Sequence, residues 1–206
     1  NYNPSAICDD GSCLTAYGCT NPAACNYDPL ATCDDGSCLA INNIFTTKAA
    51  LQTAVDLWID SNAVALCTYG DINTWDVSQI TDMSQLFKQK TTFNDDIGNW
   101  DVSNVTTMED MFYDAHNFNQ DISSWNVSNV TTMGWLFEGA TNFNQNISSW
   151  DVSSVTVMWA MFEGATNFNQ NISSWDVSNV TIMSYMFNNA TSFNQDLSSW
   201  CVAHIP

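Results

Sequence analysis

Basic side chains are almost missing from this sequence. Its 206 residues include 22 Asp and Glu, three Lys and no Arg, so the formal net charge is −19 at pH 7. The lysines, Lys48, Lys88 and Lys90, all precede residue 91. A polyanionic surface argues against nucleic acid and anionic membranes as partners, because both repel it. The charge favours cations or basic partners; the alternative is that it serves solubility alone.

Long apolar runs and catalytic patterns are also missing. No stretch is long and apolar enough for a transmembrane helix, so membrane insertion is not expected. No signal peptide is present, and we expect a mature chain. His116 and His204 belong to no arrangement of nucleophile, base or metal ligand, and no phosphate loop or zinc spacing occurs. We therefore expect a protein that is not an enzyme.

The sequence does contain a 25-residue unit that recurs without loss of register. Val follows each Trp by two residues, and one Met and two Phe positions keep the same step. A fixed period of roughly 20–50 residues indicates stacked supersecondary units, whose apolar faces are buried only by stacking. The Trp positions are Trp75, Trp100, Trp125, Trp150, Trp175 and Trp200.

Within one unit, the spacing of the apolar residues changes. Trp125 and Val127 alternate with Asn126 and Ser128, which predicts a strand with the first two side chains inside. After Val130 the apolar spacings of three and four predict a helical turn or short helix. We expect an α/β repeat solenoid with a short strand and a short helix in each 25-residue turn.

Residues 44–200 carry a specific set of motifs. These include Ala54-Val-Asp-Leu-Trp58, the run from Tyr69 to Phe87, and every later W-x-V-S-x-V-T-x-M-x-x-M/L-F. They resemble the BspA-type leucine-rich-repeat surface proteins. The resemblance implies a leucine-rich-repeat solenoid in a secreted or cell-surface protein linked to adhesion, with no family-wide catalytic residue. The last unit departs from it, because the chain stops at Pro206 shortly after Trp200.

Cysteine is concentrated near the N-terminus, where six of the eight lie within residues 8–38. This indicates disulfides and an oxidising compartment. Residues 1–13 reappear as residues 26–38, and the full unit resembles a small Cys-rich module seen beside domains of extracellular proteins. The pairing within the full unit stays open. The truncated copy bonds within itself, into the next module or to an upstream segment. The residues are Cys19, Cys25, Cys33 and Cys38 in the full unit, and Cys8 and Cys13 in the truncated copy.

Two further cysteines lie outside this region. Five rungs at about 4.8 Å would separate Cys67 from Cys201 by roughly 25 Å, too far for a disulfide. We expect Cys67 to pair in the Cys-rich part or inside the cap. Cys201 takes an outward position normally held by Asp, and is a candidate for an intermolecular bond.

The chain divides into a half Cys-rich module (1–13), a Cys-rich module (14–40), a helical cap (41–70) and a leucine-rich-repeat solenoid (71–206). Residues 46–61 predict an amphipathic helix, with Thr47 as its N-cap. This helix should cover the N-terminal end of the stack, because exposed solenoid ends need a cap. Its apolar stripe is Ala50, Leu51, Ala54, Val55, Leu57 and Trp58.

Two kinds of modification or metal site are suggested by short motifs. Paired carboxylates beside a Gly turn suit Ca²⁺, although the same residues are ordinary turn formers. The candidate Ca²⁺ ligands are Asp9, Asp10, Asp34 and Asp35. Asn-x-Ser/Thr sequons fit an extracellular glycoprotein, although some Asn serve loop hydrogen bonding instead. The sequons are at Asn104, Asn126, Asn129, Asn146, Asn171, Asn179 and Asn189.

Three sets of repeated positions are candidates for surface function. The outward position after each Trp would form a ladder of carboxylates that binds cations or a Lys-rich partner, or a solvated face in which Asp caps backbone N–H groups. The variable positions after each Met carry aromatics that suit an interface or sugar rings, or pack between turns. A recurring Asn after Phe, from Asn94 to Asn194, is expected to satisfy backbone groups at a buried turn. The first ladder is Asp76, Asp101, Asn126, Asp151 and Asp176; the aromatic positions are Trp135, Trp159 and Tyr185, joined by Tyr113.

The hypothesis that follows is an extracellular structural protein that assembles head to tail into a fibre or surface layer. It depends on the open last strand, Cys201, the half-module at the N-terminus and the acidic, Lys-poor surface. The alternative is an adhesin-type module that binds protein or glycan through the solenoid surface. A Ca²⁺-stabilised spacer is a third possibility.

Overall fold

The computed structural model of the chain describes residues 17–22, 24–38 and 41–202. It has two short strands, β1 (Tyr17–Gly18) and β2 (Cys33–Asp34). Two helices follow, α1 (Lys48–Asp60) and α2 (Asn62–Tyr69), and then a 3-10 turn at Ile72–Thr74. From there the chain continues as stacked units to the end of the described region.

Two disulfides organise the Cys-rich region. The strands β1 and β2 pair in parallel, and Cys19 bonds Cys38 with their Cα atoms 4.6 Å apart. Cys25 bonds Cys67 of α2 across 5.1 Å. Of the two alternatives for Cys67, the structure therefore has the pairing with the Cys-rich part. Cys33 is buried. Cys8 and Cys13 lie outside the described residues.

The predicted amphipathic helix is α1. Thr47 has extended backbone angles and its side chain accepts a hydrogen bond from the Ala50 N–H, as an N-cap does. Leu51, Ala54, Val55 and Trp58 are buried, again as predicted. Ala50 is exposed and Leu57 half-buried, so the buried stripe is narrower than the sequence suggests.

The helix α1 covers the first unit of the stack, as expected of a cap. The Trp58 and Trp75 rings meet edge to face with centroids 5.8 Å apart. Gln52 Nε2 donates to the Leu86 carbonyl at 3.1 Å. Lys48 forms an ion pair with Asp82 at 3.0 Å. These contacts cover the apolar face of the first unit and give a donor to one of its backbone carbonyls.

The core is a set of aromatic columns that continue from unit to unit. Phe112 and Phe137 stack with centroids 5.6 Å apart, and Phe118 and Phe143 stack at 6.0 Å. These four rings are fully buried. The repeated Trp rings are buried up to Trp175 and partly buried at Trp200, and each keeps its indole N–H bonded to a backbone carbonyl. The donors and acceptors are Trp100 to Ile72, Trp125 to Ile97, Trp150 to Ile122, Trp175 to Ile147 and Trp200 to Ile172.

The strand predicted at Trp125 to Ser128 is not formed. Trp125 and Val127 are buried and Asn126 is exposed, so the predicted alternation of faces is correct. However, the Trp125 N–H closes a turn on the Ile122 carbonyl within its own unit. Parallel pairing between units occurs a few residues later, as isolated bridges at Asp82, Thr107, Thr132, Val157 and Ile182.

The helix predicted after Met133 is also replaced by another structure. The N–H groups of Met133, Trp135 and Phe137 donate to carbonyls of the next unit. The intervening Leu136 and Glu138 N–H groups close four-residue turns within the unit, bonding the Met133 and Trp135 carbonyls. In an α-helix all of these N–H groups would bond carbonyls of the same segment. Here every second N–H group bonds a carbonyl of the next unit and so joins the two units. Trp135, with φ 54°, takes the left-handed conformation that the alternation requires.

Neither α1 nor α2 has the length and hydropathy of a membrane-spanning helix, and the same holds for all of the described residues.

Candidate binding face

The turns that follow each Met form one continuous side of the stack, which we call the variable face. It comprises residues 84–89, 109–114, 134–139, 159–164 and 184–189. Inter-unit hydrogen bonds hold these segments in register, for example from the Trp135 N–H to the Trp159 carbonyl at 2.8 Å. Side chains on this face differ between units, whereas the core positions do not.

Exposed aromatic rings are grouped on the variable face. Trp135 and Trp159 stack with centroids 5.1 Å apart at an interplanar angle of 28°. Trp159 is 40% exposed and Tyr185 is 62% exposed, although the aromatic core is almost fully covered. The structure therefore brings Trp135 and Trp159 together. Tyr185 repeats the Trp135 position two units further along.

An open pocket of about 470 Å³ adjoins the Trp pair. Lys88, Gln89, Asp110, Tyr113 and Trp135 line it. The Lys88 ammonium lies 4.5 Å from the centre of the Tyr113 ring and 3.0 Å from Asp110 Oδ1. The face thus already holds one ammonium between an aromatic ring and a carboxylate.

Four carboxylates extend from this pocket along the variable face, namely Asp110, Asp114, Glu138 and Glu163. Burial, followed by the charges of Glu163, Asp114 and Asp110, raises the pKa of Glu138 from 4.5 to about 7. Its Oε2 atom is buried without a hydrogen-bond partner. The Glu138 charge is in turn the main cause that raises the pKa of Tyr113. The ionisation of Glu138 is therefore coupled to the charges of the other three carboxylates, and we call the four residues the acidic group.

Sequence reasoning missed the acidic group, although the signal was present. Lys88, Tyr113, Glu138, Glu163 and Asn188 are each 25 residues apart, so the repeat register places them on one ladder. Asn188 Nδ2 donates to Glu163 Oε1 at 2.6 Å along this ladder. His116 lies beside it, with Nε2 3.6 Å from Asp114 Oδ1.

The carboxylate ladder predicted after each Trp has a local role. Asp76 Oδ1 accepts the Ser78 N–H at 3.0 Å and also bonds the Ser78 hydroxyl. The Ser78 hydroxyl and then its N–H lower the pKa of Asp76. The same bond from the Ser N–H recurs at Asp101, Asn126, Asp151 and Asp176. Of the two interpretations, the structure has the one in which Asp caps backbone N–H groups.

The Asp-Asp-Gly loop also shows turn chemistry. Asp34 Oδ1 accepts the Gly36 N–H at 3.0 Å, and Asp35 Oδ1 accepts the Ser37 N–H at 2.9 Å. Within residues 17–22, 24–38 and 41–202, no group of three or more His, Cys, Asp or Glu side chains could hold a metal ion. The other candidate ligands, Asp9 and Asp10, lie outside the described residues.

The seven sequon asparagines are all exposed but fall into different environments. Asn104, Asn129 and Asn179 donate from Nδ2 to a Ser carbonyl of the preceding unit at 2.8 Å. At Asn126, Asn146 and Asn171 the side-chain oxygen instead accepts the N–H of the sequon Ser. Asn189 has a left-handed backbone, with φ 58°.

The recurring Asn after Phe joins neighbouring units. Asn94 Oδ1 accepts the Asn119 N–H at 2.8 Å, and Asn119 Oδ1 accepts the Asn144 N–H at 2.9 Å. The predicted role in satisfying backbone groups is therefore confirmed. The predicted burial is wrong, because these side chains lie at the solvent edge of the stack.

The last described unit is less covered than the others. Phe187, Phe193 and Trp200 are partly buried, whereas their counterparts in earlier units are almost fully buried. Cys201 follows Trp200 and its thiol is free and exposed.

Comparison with known proteins places the repeats in a family. Residues 59–152 and 124–206 match the family described as "Mycoplasma protein of unknown function, DUF285". The two matches together cover residues 59–206, more than half of the chain. No curated protein and no solved structure matches it. The chain therefore belongs to the family described as Mycoplasma protein of unknown function, DUF285.

Proposed function

We propose that this protein is an extracellular, BspA-type leucine-rich-repeat surface module that binds a partner protein or glycan through the variable face. It acts by recognition rather than by catalysis. The two disulfides and the seven exposed sequons fit a secreted or cell-surface location. The 25-residue repeats of this chain, with hydrogen bonds from each unit to the next, support the repeat-solenoid class.

The observation that carries this proposal is the Trp pair at the surface, in which Trp159 is exposed and Trp135 is half-buried. Inside the stack, aromatic rings are shielded and serve packing. Trp135 and Trp159 instead stack on each other at the surface, and Trp159 remains 40% exposed. Large exposed aromatic groups are typical of interaction sites, because covering them with a partner removes apolar area from water.

The test is a binding screen with paired variants. Wild type and the double variant Trp135→Ala/Trp159→Ala are compared on a glycan array and on immobilised extracellular-matrix proteins. We expect at least one ligand whose binding falls by about tenfold or more in the double variant. Leu30→Ala, at a side chain 76% exposed outside the repeats, is the matched control and should bind as wild type. Equal binding by the double variant to every ligand would remove the variable face from the proposal.

Head-to-tail assembly is a second proposal, supported by the exposed Cys201 thiol and the less covered aromatics of the last unit. It ranks second because α1 covers the first unit, so another copy cannot extend the backbone ladder at that end. Sedimentation of oxidised and reduced protein tests it. Larger oxidised species that disappear in Cys201→Ser support assembly, whereas a monomer under both conditions contradicts it.

A further inference from the structure

We propose that the variable face recognises a cationic partner, a protein or peptide whose lysine or arginine side chains enter between its aromatic rings and its carboxylates. The inference rests on the proposed function, because it names the class of partner for the same face. The groups that recognise the cation are Trp135, Trp159, Asp110, Glu138 and Glu163.

The rings and the carboxylates form one surface. Trp135 and Asp110 line the same pocket. The Glu138 N–H donates to the Trp135 carbonyl at 3.2 Å, so the two residues begin and end the same backbone turn. Glu163 is the corresponding residue of the next unit and lies close enough to raise the pKa of Glu138. A partner that covers the Trp pair therefore also meets these acids.

The chain shows how an ammonium binds here. Lys88 places its Nζ 3.0 Å from Asp110 and 4.5 Å from the centre of the Tyr113 ring. Such a site attracts an ammonium through the quadrupole of the ring and through the negative charge of the carboxylate. The next unit also carries a ring and a carboxylate, but with their places exchanged: Trp135 takes the Asp110 position and Glu138 the Tyr113 position. The later units contain no Lys or Arg.

Each of the three lysines of the chain already forms an ion pair. Lys48 pairs with Asp82, Lys88 with Asp110, and Lys90 with Asp56. No Lys or Arg follows residue 90 in the sequence. Among the described residues Glu138 and Glu163 form no ion pair, and Lys88, which attracts Glu138, is already paired with Asp110, so an external cation would gain most of their attraction.

Among these carboxylates, the charged form of Glu138 would be stabilised most by a bound cation. Its Oε2 is buried without a hydrogen-bond partner, and Glu163, Asp114 and Asp110 repel its charged form while Lys88 attracts it. A bound ammonium would favour the charged form, so binding should release a proton near neutral pH. A neutral sugar would stack on the rings but would not relieve this repulsion. This difference favours a cationic partner over a glycan.

The experiment uses the full chain and a fluorescein-labelled octalysine peptide, with binding followed by fluorescence polarisation at about 0.15 M NaCl to screen distant charges. The first variant is Trp159→Ala. The second is Glu138→Gln/Glu163→Gln. The charge-matched control is Asp151→Asn/Asp176→Asn, because Asn126 shows that Asn fits this position.

We expect Trp159→Ala and Glu138→Gln/Glu163→Gln each to weaken octalysine binding by about threefold to tenfold, and the control by less than about twofold. Wild-type affinity should also rise between pH 6 and 8. The Glu variant should lose that part of the rise, whereas any contribution from His116 would persist in it.

Two results would overturn the inference. Equal weakening by the control pair and the Glu pair would show attraction to overall charge only. Unchanged octalysine binding by Trp159→Ala would exclude the rings. If Trp135→Ala/Trp159→Ala still loses a ligand from the glycan and matrix screen, the binding face stands and only the cationic partner is wrong. If neither assay responds to any variant, both proposals fail.

Discussion

Single residues in this chain join neighbouring units through polar atoms as well as through packing. From Trp100 onward, the indole N–H of each repeated Trp donates to a backbone carbonyl 28 residues earlier, for example from Trp125 to Ile97 at 3.2 Å. That carbonyl belongs to a turn and depends on the preceding stack for its position. The preference for Trp over Leu at this position thus has a physical reason, since the indole adds a hydrogen bond between units to a carbonyl that otherwise accepts only from its own unit, and Leu has no donor.

Trp125→Phe tests this role. The substitution keeps an aromatic ring but removes the N–H donor and part of the ring volume. The Ile97 carbonyl keeps the backbone N–H of Trp100 as a donor, so we expect the free energy of unfolding to fall by about 1–3 kcal/mol, from the lost second hydrogen bond and the small cavity together. Urea unfolding followed by circular dichroism measures the change. A loss below about 0.5 kcal/mol would show that water replaces the indole donor without cost.

Glu138 is the residue at which charge opposes the fold. Its pKa in the folded protein is about 7, raised from 4.5 mainly by burial and then by Glu163. A raised acid pKa means that the folded state holds its proton more tightly than the unfolded state. Its contribution is therefore complete below pH 4.5 and is lost as the pH rises through 7.

Glu138→Gln should remove that loss. The variant and wild type should have similar stability near pH 4.5, while at pH 8 the variant should be more stable by roughly 1 kcal/mol after solvent screening. Melting temperatures across this pH range provide the measurement. If both proteins lose stability in parallel between pH 4.5 and 8, another group is responsible for the pH dependence.

At the scale of elements, the helix was predictable and the repeat backbone was not. The stripe of Leu51, Ala54, Val55 and Trp58 has the spacing of a helix, and Thr47 has the side chain of an N-cap. Inside the repeats, the same kind of spacing misleads, because Met133, Leu136 and Phe137 are inward positions on successive turns. Spacing reports which side chains are buried, but not whether an N–H bonds within its unit or to the next.

For the candidate site too, the sequence predicted which residues lie at the surface but not how they contact one another. The variation between units identified the positions of Trp135 and Trp159 as surface residues, and the structure places their rings 5.1 Å apart. Trp135 and Trp159 are 24 residues apart, so the register alone did not predict this contact. Left-handed backbone at Trp135 sets its side-chain direction, and non-glycine residues rarely adopt that conformation.

The α1 cap provides a prediction at the scale of an element. Thr47→Ala removes the side-chain oxygen that accepts the Ala50 N–H at 3.3 Å. We expect a loss of about 1 kcal/mol in the free energy of unfolding, with Thr47→Ser close to wild type because it keeps the acceptor. Thermal unfolding of the three proteins compares them. A Ser variant as unstable as the Ala variant would assign the effect to the Thr methyl group instead.

In the whole molecule, the contribution of a buried side chain to stability depends more on its position along the stack than on its residue type. Phe137 is fully buried and contacts rings of both neighbouring units, Phe112 on one side and Phe162 on the other. Phe187 has the same place in its unit, and among the described residues its only neighbouring unit contributes Phe162. In a one-dimensional stack, stability is a sum of unit and interface contributions, so an interior ring supports two interfaces.

Phe137→Ala and Phe187→Ala therefore provide a matched pair. We expect Phe137→Ala to cost about 3–5 kcal/mol, as for other buried Phe residues, and Phe187→Ala about half of that. The interior substitution should also lower the urea dependence of unfolding, because it uncouples the two halves of the stack. Chemical unfolding with hydrogen exchange along the units measures both effects. Equal losses at the two positions would mean that a further chain or unit covers Phe187 in solution, and would strengthen the assembly proposal at the expense of an isolated module.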